Sequence, residues 1–281
     1  MSDNLSALNS EYWSQLCGSR ASNKLGIEAG DPAGIGKFDD WFFWFYPYLD
    51  RNDFIDWNAL SDARVLEIGL GYGSVTRRLG TKSGQLFSLD IAPKAVAFAK
   101  ATAPGSNCVR ASARALPFAD GSLDCVISIG CLHMTGDMEE GLRECMRVLR
   151  PGGRLVVMVY NVFSYKRWIV APVATLRALV ADRRRAGYRS GGAAPRRVSW
   201  FWDRSPSGDA PPFTEFASKR QLLRAVSGAS SADVVALNVD NVTDLLPRRL
   251  QNVGLDRLRV SLLSSWLSRH AGLDLYLVAT K

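Results

Sequence analysis

Histidine, cysteine and long apolar runs are all in short supply in this sequence, and each shortage removes a class of function. The five cysteines, Cys17, Cys108, Cys125, Cys131 and Cys145, are scattered and odd in number, and no pair has the C-x-x-C spacing. That pattern argues against a disulfide framework and a structural zinc site, so no metal is expected and a reducing, cytoplasmic setting fits best. Residues 1–24 lack a basic start followed by an unbroken apolar core, so no secretory leader is expected. The most apolar stretch, residues 163–181, carries Lys166, Arg167 and Arg177 and is too charged to span a bilayer. It reads as an amphipathic or buried helix. No internal repeat is present, and histidine occurs only as His133 and His270.

What is present is the composition of an ordinary globular protein: 281 residues, 47% hydrophobic and 22% charged. A chain of this length buries a core without staples. The net charge of +8 is unevenly held, because residues 1–150 are slightly acidic and residues 151–281 hold more than twice as many basic as acidic side chains. Much of the excess falls between Lys166 and Arg197, where Arg183, Arg184 and Arg185 are consecutive. A face of that sign attracts nucleic acid, an anionic membrane or an acidic substrate, or is simply a solvated loop.

From residue 63 to about residue 159 apolar runs alternate with helical patterns at the rhythm of βαβ units. Strands are expected over residues 64–69, 85–90, 107–111, 123–129 and 154–160. Helices are expected over residues 74–79, over 93–102 with Pro93 in the first turn, and over 138–149 with Asp137 as N-cap and Pro151-Gly152-Gly153 as the stop. Strands that are apolar throughout require a parallel sheet covered on both faces. Two further strands are expected over residues 234–239 and 273–279. Residues 1–60, with aromatic residues 41–48, read as a helical cap, residues 61–160 as the core and residues 232–281 as its completion. Residues 161–231 read as a lid insertion containing a helix over 166–185, a Gly/Pro/Arg-rich loop over 186–212 and a helix over 218–226.

The chemistry concentrates in Val65-Leu-Glu67-Ile-Gly69-Leu-Gly71-Tyr-Gly73, which leads from a strand through three alternate glycines into a helix. Glycine lets the backbone turn tightly and come within van der Waals reach of a ligand. Dinucleotide sites space these glycines as G-x-G-x-x-G and rest a pyrophosphate on the helix N-terminus. Here the spacing is G-x-G-x-G, and Glu67 stands two residues before the first glycine. A carboxylate there repels pyrophosphate and suits a cation, such as an ammonium held directly or through water. Asp90 ends the second strand about twenty residues later, where an acidic side chain accepts hydrogen bonds from both ribose hydroxyls. The plainer alternatives are a tight ligand-free turn and an N-cap at Asp90.

Taken together these residues resemble the class I S-adenosylmethionine-dependent methyltransferases, specifically the type 11 methyltransferase domain group. Residues 65–73 match its first motif, Leu89-Asp90-Ile91-Ala-Pro its second, and residues 115–126 the stretch before the fourth strand. Ile129-Gly130-Cys131-Leu132-His133 and residues 147–153 match the next two blocks, and Glu11-Tyr12-Trp13 is a weaker echo. The resemblance covers about residues 63–160. It implies an α/β fold with a Rossmann-like, seven-stranded, mostly parallel sheet and helices on both faces. It implies S-adenosyl-L-methionine as cofactor and S-adenosyl-L-homocysteine as product, held by Glu67, Gly69, Gly71, Gly73, Asp90 and Ile91, with Tyr12 and Trp13 closing over them. Where the group usually has an acidic residue against the adenine amino group, this chain has Ser112 and Ala113. The resemblance implies that this pair still meets adenine, through the Ser112 hydroxyl and the Ala113 amide.

An alcohol or phenol acceptor needs its proton removed, and His133, after the fourth strand, is the candidate base. The expected reaction is O-methylation of a small molecule, natural product or glycan, with the basic insert favouring an anionic or polyhydroxylated acceptor. An RNA-modifying enzyme is the alternative, weakened by the lack of a recognised RNA-binding module or an N-P-P-Y motif. A catalytically silent cofactor-binding protein is another, opposed by intact Glu67, Gly71 and Asp90. A nicotinamide oxidoreductase is disfavoured by the glycine spacing. The acceptor and the oligomeric state are not legible.

Overall fold

The computed structural model describes residues 2–15, 26, 34–50, 54–183, 205, 209–239 and 265–281. Five of the apolar runs form strands β1 (Arg64–Ile68), β2 (Gln85–Asp90), β3 (Asn107–Arg110), β4 (Leu123–Ile129) and β5 (Leu149–Tyr160). With β6 (Ser231–Leu237) and β7 (Asp274–Thr280) they make a seven-stranded sheet in the order β3-β2-β1-β4-β5-β7-β6. β7 runs antiparallel to both of its neighbours, and the other pairs are parallel. This is the α/β, Rossmann-like, mostly parallel sheet expected. Strand order reverses between β1 and β4, and such a reversal opens a crevice beyond the carboxyl ends of the strands.

Alternate residues of each strand feed opposite layers. Leu66, Ile68, Val126, Leu155 and Val157 pack against Leu142, Cys145 and Val148 of the helix Met138–Val148 and Leu222 of the helix Lys219–Ala225. Val65, Ile127, Val156 and Met158 pack on the other face against Val75, Leu79 and the aromatic N-terminal segment. Both layers exist because the strands are apolar on both sides. Helix starts follow local chemistry: Asp137 accepts from the Glu140 amide, and Ser218 and Gln221 form a capping box.

Aromatic residues 41–48 lie largely in the helices Ile35–Phe45 and Pro47–Asp50. Phe38 stacks on Tyr72 at 4.3 Å between centroids, and Tyr48 meets Tyr276 of β7 at 4.6 Å. Asp39 forms an ion pair with Arg77 and accepts from the Ser74 hydroxyl, which ties this segment to the helix Ser74–Gly80.

Three boundaries differ from the expectations. β5 begins at Leu149, so Pro151-Gly152-Gly153 stops the helix yet lies within the strand, and a register shift between Leu123 and Cys125 of β4 absorbs it. The expected helix over 166–185 is two helices, Tyr165–Val170 and Pro172–Arg183, because Pro172 has no amide proton and restricts the residue before it. Residues 184–185 and most of the expected loop over 186–212 lie outside the described residues. The sixth strand starts at Ser231, ahead of the expected 234, where it pairs with Thr280 of β7. Among the described residues no helix is long and apolar enough to cross a membrane.

Candidate functional site

A cleft opens beyond the carboxyl ends of β1, β2 and β4, at the reversal of strand order. Its floor is the glycine turn. The Gly69 amide donates to the Leu89 carbonyl at 2.8 Å, and Gly69 then turns with φ +90°. A Cβ on Gly69 would lie 2.4 Å from Cys131 Cβ, so only glycine fits where the β1 and β4 loops touch. A Cβ on Gly71 would meet nothing within 4 Å, and this residue lines open space. Gly73 is not in the lining; with φ +75° it caps the helix Ser74–Gly80.

Both expected carboxylates lie at this turn, Glu67 buried and Asp90 half-buried, and they do different jobs. Asp90 lines the cleft, its two oxygens accepting from the Leu70 and Ala92 amides, each at 2.8 Å. Burial raises its pKa, and the amides pull it back toward the usual range. Glu67 lies beneath the turn rather than in the lining, 3% exposed, and accepts from the Thr76 hydroxyl. Burial, with the neighbouring Asp90 charge, lifts its pKa to about 8. It is a buried acid supporting the loop.

The helix Ser2–Trp13 roofs the cleft. Asn9 Nδ2 donates to the Met134 carbonyl at 2.9 Å, the Ser10 hydroxyl to Ile91 at 3.2 Å, and Arg114 to Ser6 at 3.1 Å. Those partners follow β4, β2 and β3, so one helix bridges three loops. Trp13 lines the cleft, whereas Tyr12 donates to the Asp209 carbonyl at 3.0 Å and anchors the roof from outside the lining. Asn9, 4% exposed and in the lining, leaves its Oδ1 without a hydrogen-bond partner among the described residues. The enclosed space is about 160 Å³, below the roughly 300 Å³ at which small-molecule sites usually begin.

Ile91, Ser112 and Ala113 join Gly69, Gly71, Asp90 and Trp13 in this lining. Sequence reasoning missed Ser6 and Asn9, although their spacing to Trp13 puts all three on one helical face, and it missed Cys131 and Thr135 after β4. His133 is where expectation and geometry part. It sits fully buried in the short turn Leu132–Met134, outside the lining, with its ring 4.1 Å from that of Tyr160. Neither ring nitrogen has a hydrogen-bond partner among the described residues, and burial holds its pKa down at about 3. In this arrangement His133 does not reach the cleft, and the expected role as base gains no support from the geometry. A second cavity of about 810 Å³, walled by Tyr48, Phe54 and Phe163 and edged by Lys219, Arg220 and Arg269, shares no lining residue with this cleft.

Residues 66–157 match the family model described as methyltransferase domain. The chain is 34% identical over 110 residues to the demethylmenaquinone methyltransferase of Tropheryma whipplei, an alignment covering 38% of this chain and 45% of that protein. It is 40% identical over 109 residues to a ubiquinone/menaquinone biosynthesis C-methyltransferase of Hahella chejuensis, covering 35% and 43%. It is 34% identical over 104 residues to the malonyl-[acyl-carrier protein] O-methyltransferase of Methylococcus capsulatus, covering 35% and 38%. The chain thus spans less than half the length of each of these relatives. Among solved structures, a methyltransferase of Methanosarcina mazei aligns with a TM-score of 0.52 at 16% identity over 83% of this chain and 97% of its own. One of Mesorhizobium loti gives 0.51 at 17% identity over 79% and 92%. At such identity the likeness is one of fold. Residues 66–157 thus form a methyltransferase domain, similar to those of the class I S-adenosylmethionine-dependent methyltransferases.

Proposed function

We propose that this protein transfers a methyl group from S-adenosylmethionine to a small organic acceptor whose reacting atom is nucleophilic without help from an enzymic base. When bound, the cofactor supplies a methyl group on a positively charged sulfur. The residues present fit it. Asp90 borders the cleft with a carboxylate suited to a pair of hydroxyls, and Gly71 leaves the floor open for close approach. Asn9 Oδ1 is a buried acceptor awaiting an N–H or O–H donor. Ser112 and Ala113 border the same space, and Glu67, a protonated acid at neutral pH while the site is empty, adds negative potential beneath the turn as it ionises toward a cationic ligand. The roof helix excludes water once it closes, which strengthens every charge interaction inside.

The observation that carries the acceptor class is the missing base. Among the described residues that line the cleft, the ionisable side chains are Asp90, Arg114 and Cys131. Asp90 is taken up by backbone amides and the cofactor's hydroxyls, an arginine stays protonated, and burial pushes the Cys131 thiol well above its ordinary range. Alignment alone supplies several kcal/mol to an in-line displacement. An acceptor that arrives as a carboxylate, an acidic enol or an electron-rich quinol ring therefore reacts by positioning. Relatives named for demethylmenaquinone and for malonyl-[acyl-carrier protein] support this reading, since neither a carboxylate nor an electron-rich ring carbon needs an enzymic base before attack, the ring carbon releasing its proton to water after transfer. A sugar hydroxyl, which does, gains no support. The test is transfer of labelled methyl across acceptors of graded acidity at fixed pH. Rates should follow the ionised fraction of carboxylic acids and quinols, and efficient turnover of an unactivated sugar alcohol would overturn the proposal.

A further inference from the structure

The helix Pro172–Arg183 presents its sides in the opposite sense to an ordinary surface helix. Its inward residues are Thr175, Ala178 and Asp182, exposed by 0%, 1% and 8%, whereas Val173, Leu176 and Val180 face outward at 63%, 54% and 43%. At 3.6 residues per turn the two sets lie on opposite sides. Trp168 and Ile169 of the preceding helix Tyr165–Val170 extend the outward apolar set. Surface helices normally bury the apolar stripe and expose the polar one.

Hydrogen bonds fix this orientation. The Thr175 hydroxyl donates to the Ala171 carbonyl at 2.9 Å, Asp182 accepts from the Ser218 hydroxyl, and Ala178 packs with Val162 and Phe216. Turning the helix to bury its valines would break the buried Asp182–Ser218 contact. The stripe is left for something beyond the fold.

Charge indicates what that is. Arg177 and Arg183 are exposed and, by helical angle, bracket the stripe on its two sides. Asp182, turned inward, is the sole carboxylate in the sequence from Lys166 to Arg197. A second copy of this chain would set like charge against like, and nucleic acid would use the arginines while leaving the aliphatic side chains wet. An anionic lipid surface uses both, with aliphatics at the acyl boundary and guanidinium groups on phosphates. We infer that the face formed by Trp168, Ile169, Val173, Leu176 and Val180, flanked by Arg177 and Arg183, docks this protein on an anionic membrane surface. Both helices follow β5, so docking holds the carboxyl edge of the sheet, where the cleft lies, near lipid. The inference is independent of which acceptor is methylated.

Vesicle flotation of the full chain tests this. Vesicles of phosphatidylcholine with phosphatidylglycerol should carry the protein, phosphatidylcholine alone should carry it far less, and added salt should release it. The pair Val173→Ser and Leu176→Ser, at positions more than half exposed, should weaken association roughly tenfold or more while leaving Tm and cofactor affinity unchanged. The pair Arg177→Gln and Arg183→Gln should abolish the preference for anionic lipid. The inference is overturned if the protein does not float with anionic vesicles, or if both pairs float like the parent. It is equally overturned if Val173→Ser with Leu176→Ser abolishes a concentration-dependent dimer, or if the arginine pair affects RNA binding alone.

Discussion

Replacing Glu67 by glutamine should make the protein more stable and worse at its task, by amounts that depend on pH. The carboxyl group rises from an ordinary 4.5 to about 8 in the folded chain, chiefly through burial. The folded state thus holds this proton more tightly than the unfolded chain does. Stability from this group is complete below about pH 4.5 and declines as pH rises, levelling off above about pH 8. At 1.36 kcal/mol per unit, the loss is about 3 kcal/mol at neutral pH and about 5 kcal/mol once the group is fully ionised. Glutamine keeps the shape and an acceptor for the Thr76 hydroxyl, and it does not titrate. Urea denaturation should therefore show Glu67→Gln and the parent alike near pH 4.5, with the variant ahead by about 3 kcal/mol near pH 7. Calorimetry with S-adenosylmethionine should show the reverse order. Parent affinity should climb as pH approaches about 8, because a cationic ligand favours the ionised carboxylate, and variant affinity should be lower and flat. A stability offset that is constant across pH would refute the reasoning, as would equal affinities near pH 8.

His133 carries the opposite pH signature. Its pKa falls from 6.5 to about 3, so stability is lost as pH drops from 6.5 toward 3, and His133→Leu should flatten that acid limb in a denaturation series and retain cofactor binding. Loss of methyl transfer in a folded His133→Leu protein would restore the histidine to the chemistry. Gly69→Ala adds a Cβ 2.4 Å from Cys131 Cβ at φ +90°, so titration should show cofactor affinity reduced at least ~tenfold, with partial recovery when Cys131→Gly is added. Asn9→Ala removes the orphaned acceptor of the roof and should weaken cofactor binding by about five- to tenfold, near 1 kcal/mol, in the same titration. Unchanged affinity would mean that Asn9 serves only to hold Met134.

The sheet was legible because parallel strands covered on both faces must be apolar throughout, and glycine, proline and Asp137 punctuate them. Gly69, Gly71 and Asp90 were legible for a related reason, since a close backbone approach and a strand-end carboxylate leave marks on single positions. Ser6 and Asn9 were not, because a polar helix lying across three loops owes its place to hydrogen bonds with Met134, Ile91 and Arg114 rather than to any pattern of its own. His133 follows β4 at the correct edge, but whether a side chain there turns toward the cleft or against Tyr160 is decided by packing. The helix Pro172–Arg183 defeats periodicity altogether, since its buried face is chosen by the Asp182–Ser218 contact and not by hydrophobicity.

The distribution of charge around the glycine turn bears on why the site takes a cation. Glu67 and Asp90 lie close enough for the charge of Asp90 to hinder ionisation of Glu67, and burial hinders both. Arg77 is the nearby cation that eases Glu67, yet its guanidinium is held by Asp39 and by the Tyr72 carbonyl. Once Glu67 ionises, the negative potential under the turn thus lacks a full counterion among the described residues. A neutral or anionic ligand would leave that imbalance in place, whereas a ligand carrying positive charge relieves it and gains the interaction at low dielectric. Methyl transfer removes the charge on sulfur, so the same potential that favours the substrate form of the cofactor holds the product less firmly. Stability sacrificed at Glu67 in the empty state is then the source of discrimination between the two forms, in line with the strain that functional sites elsewhere retain at the expense of stability.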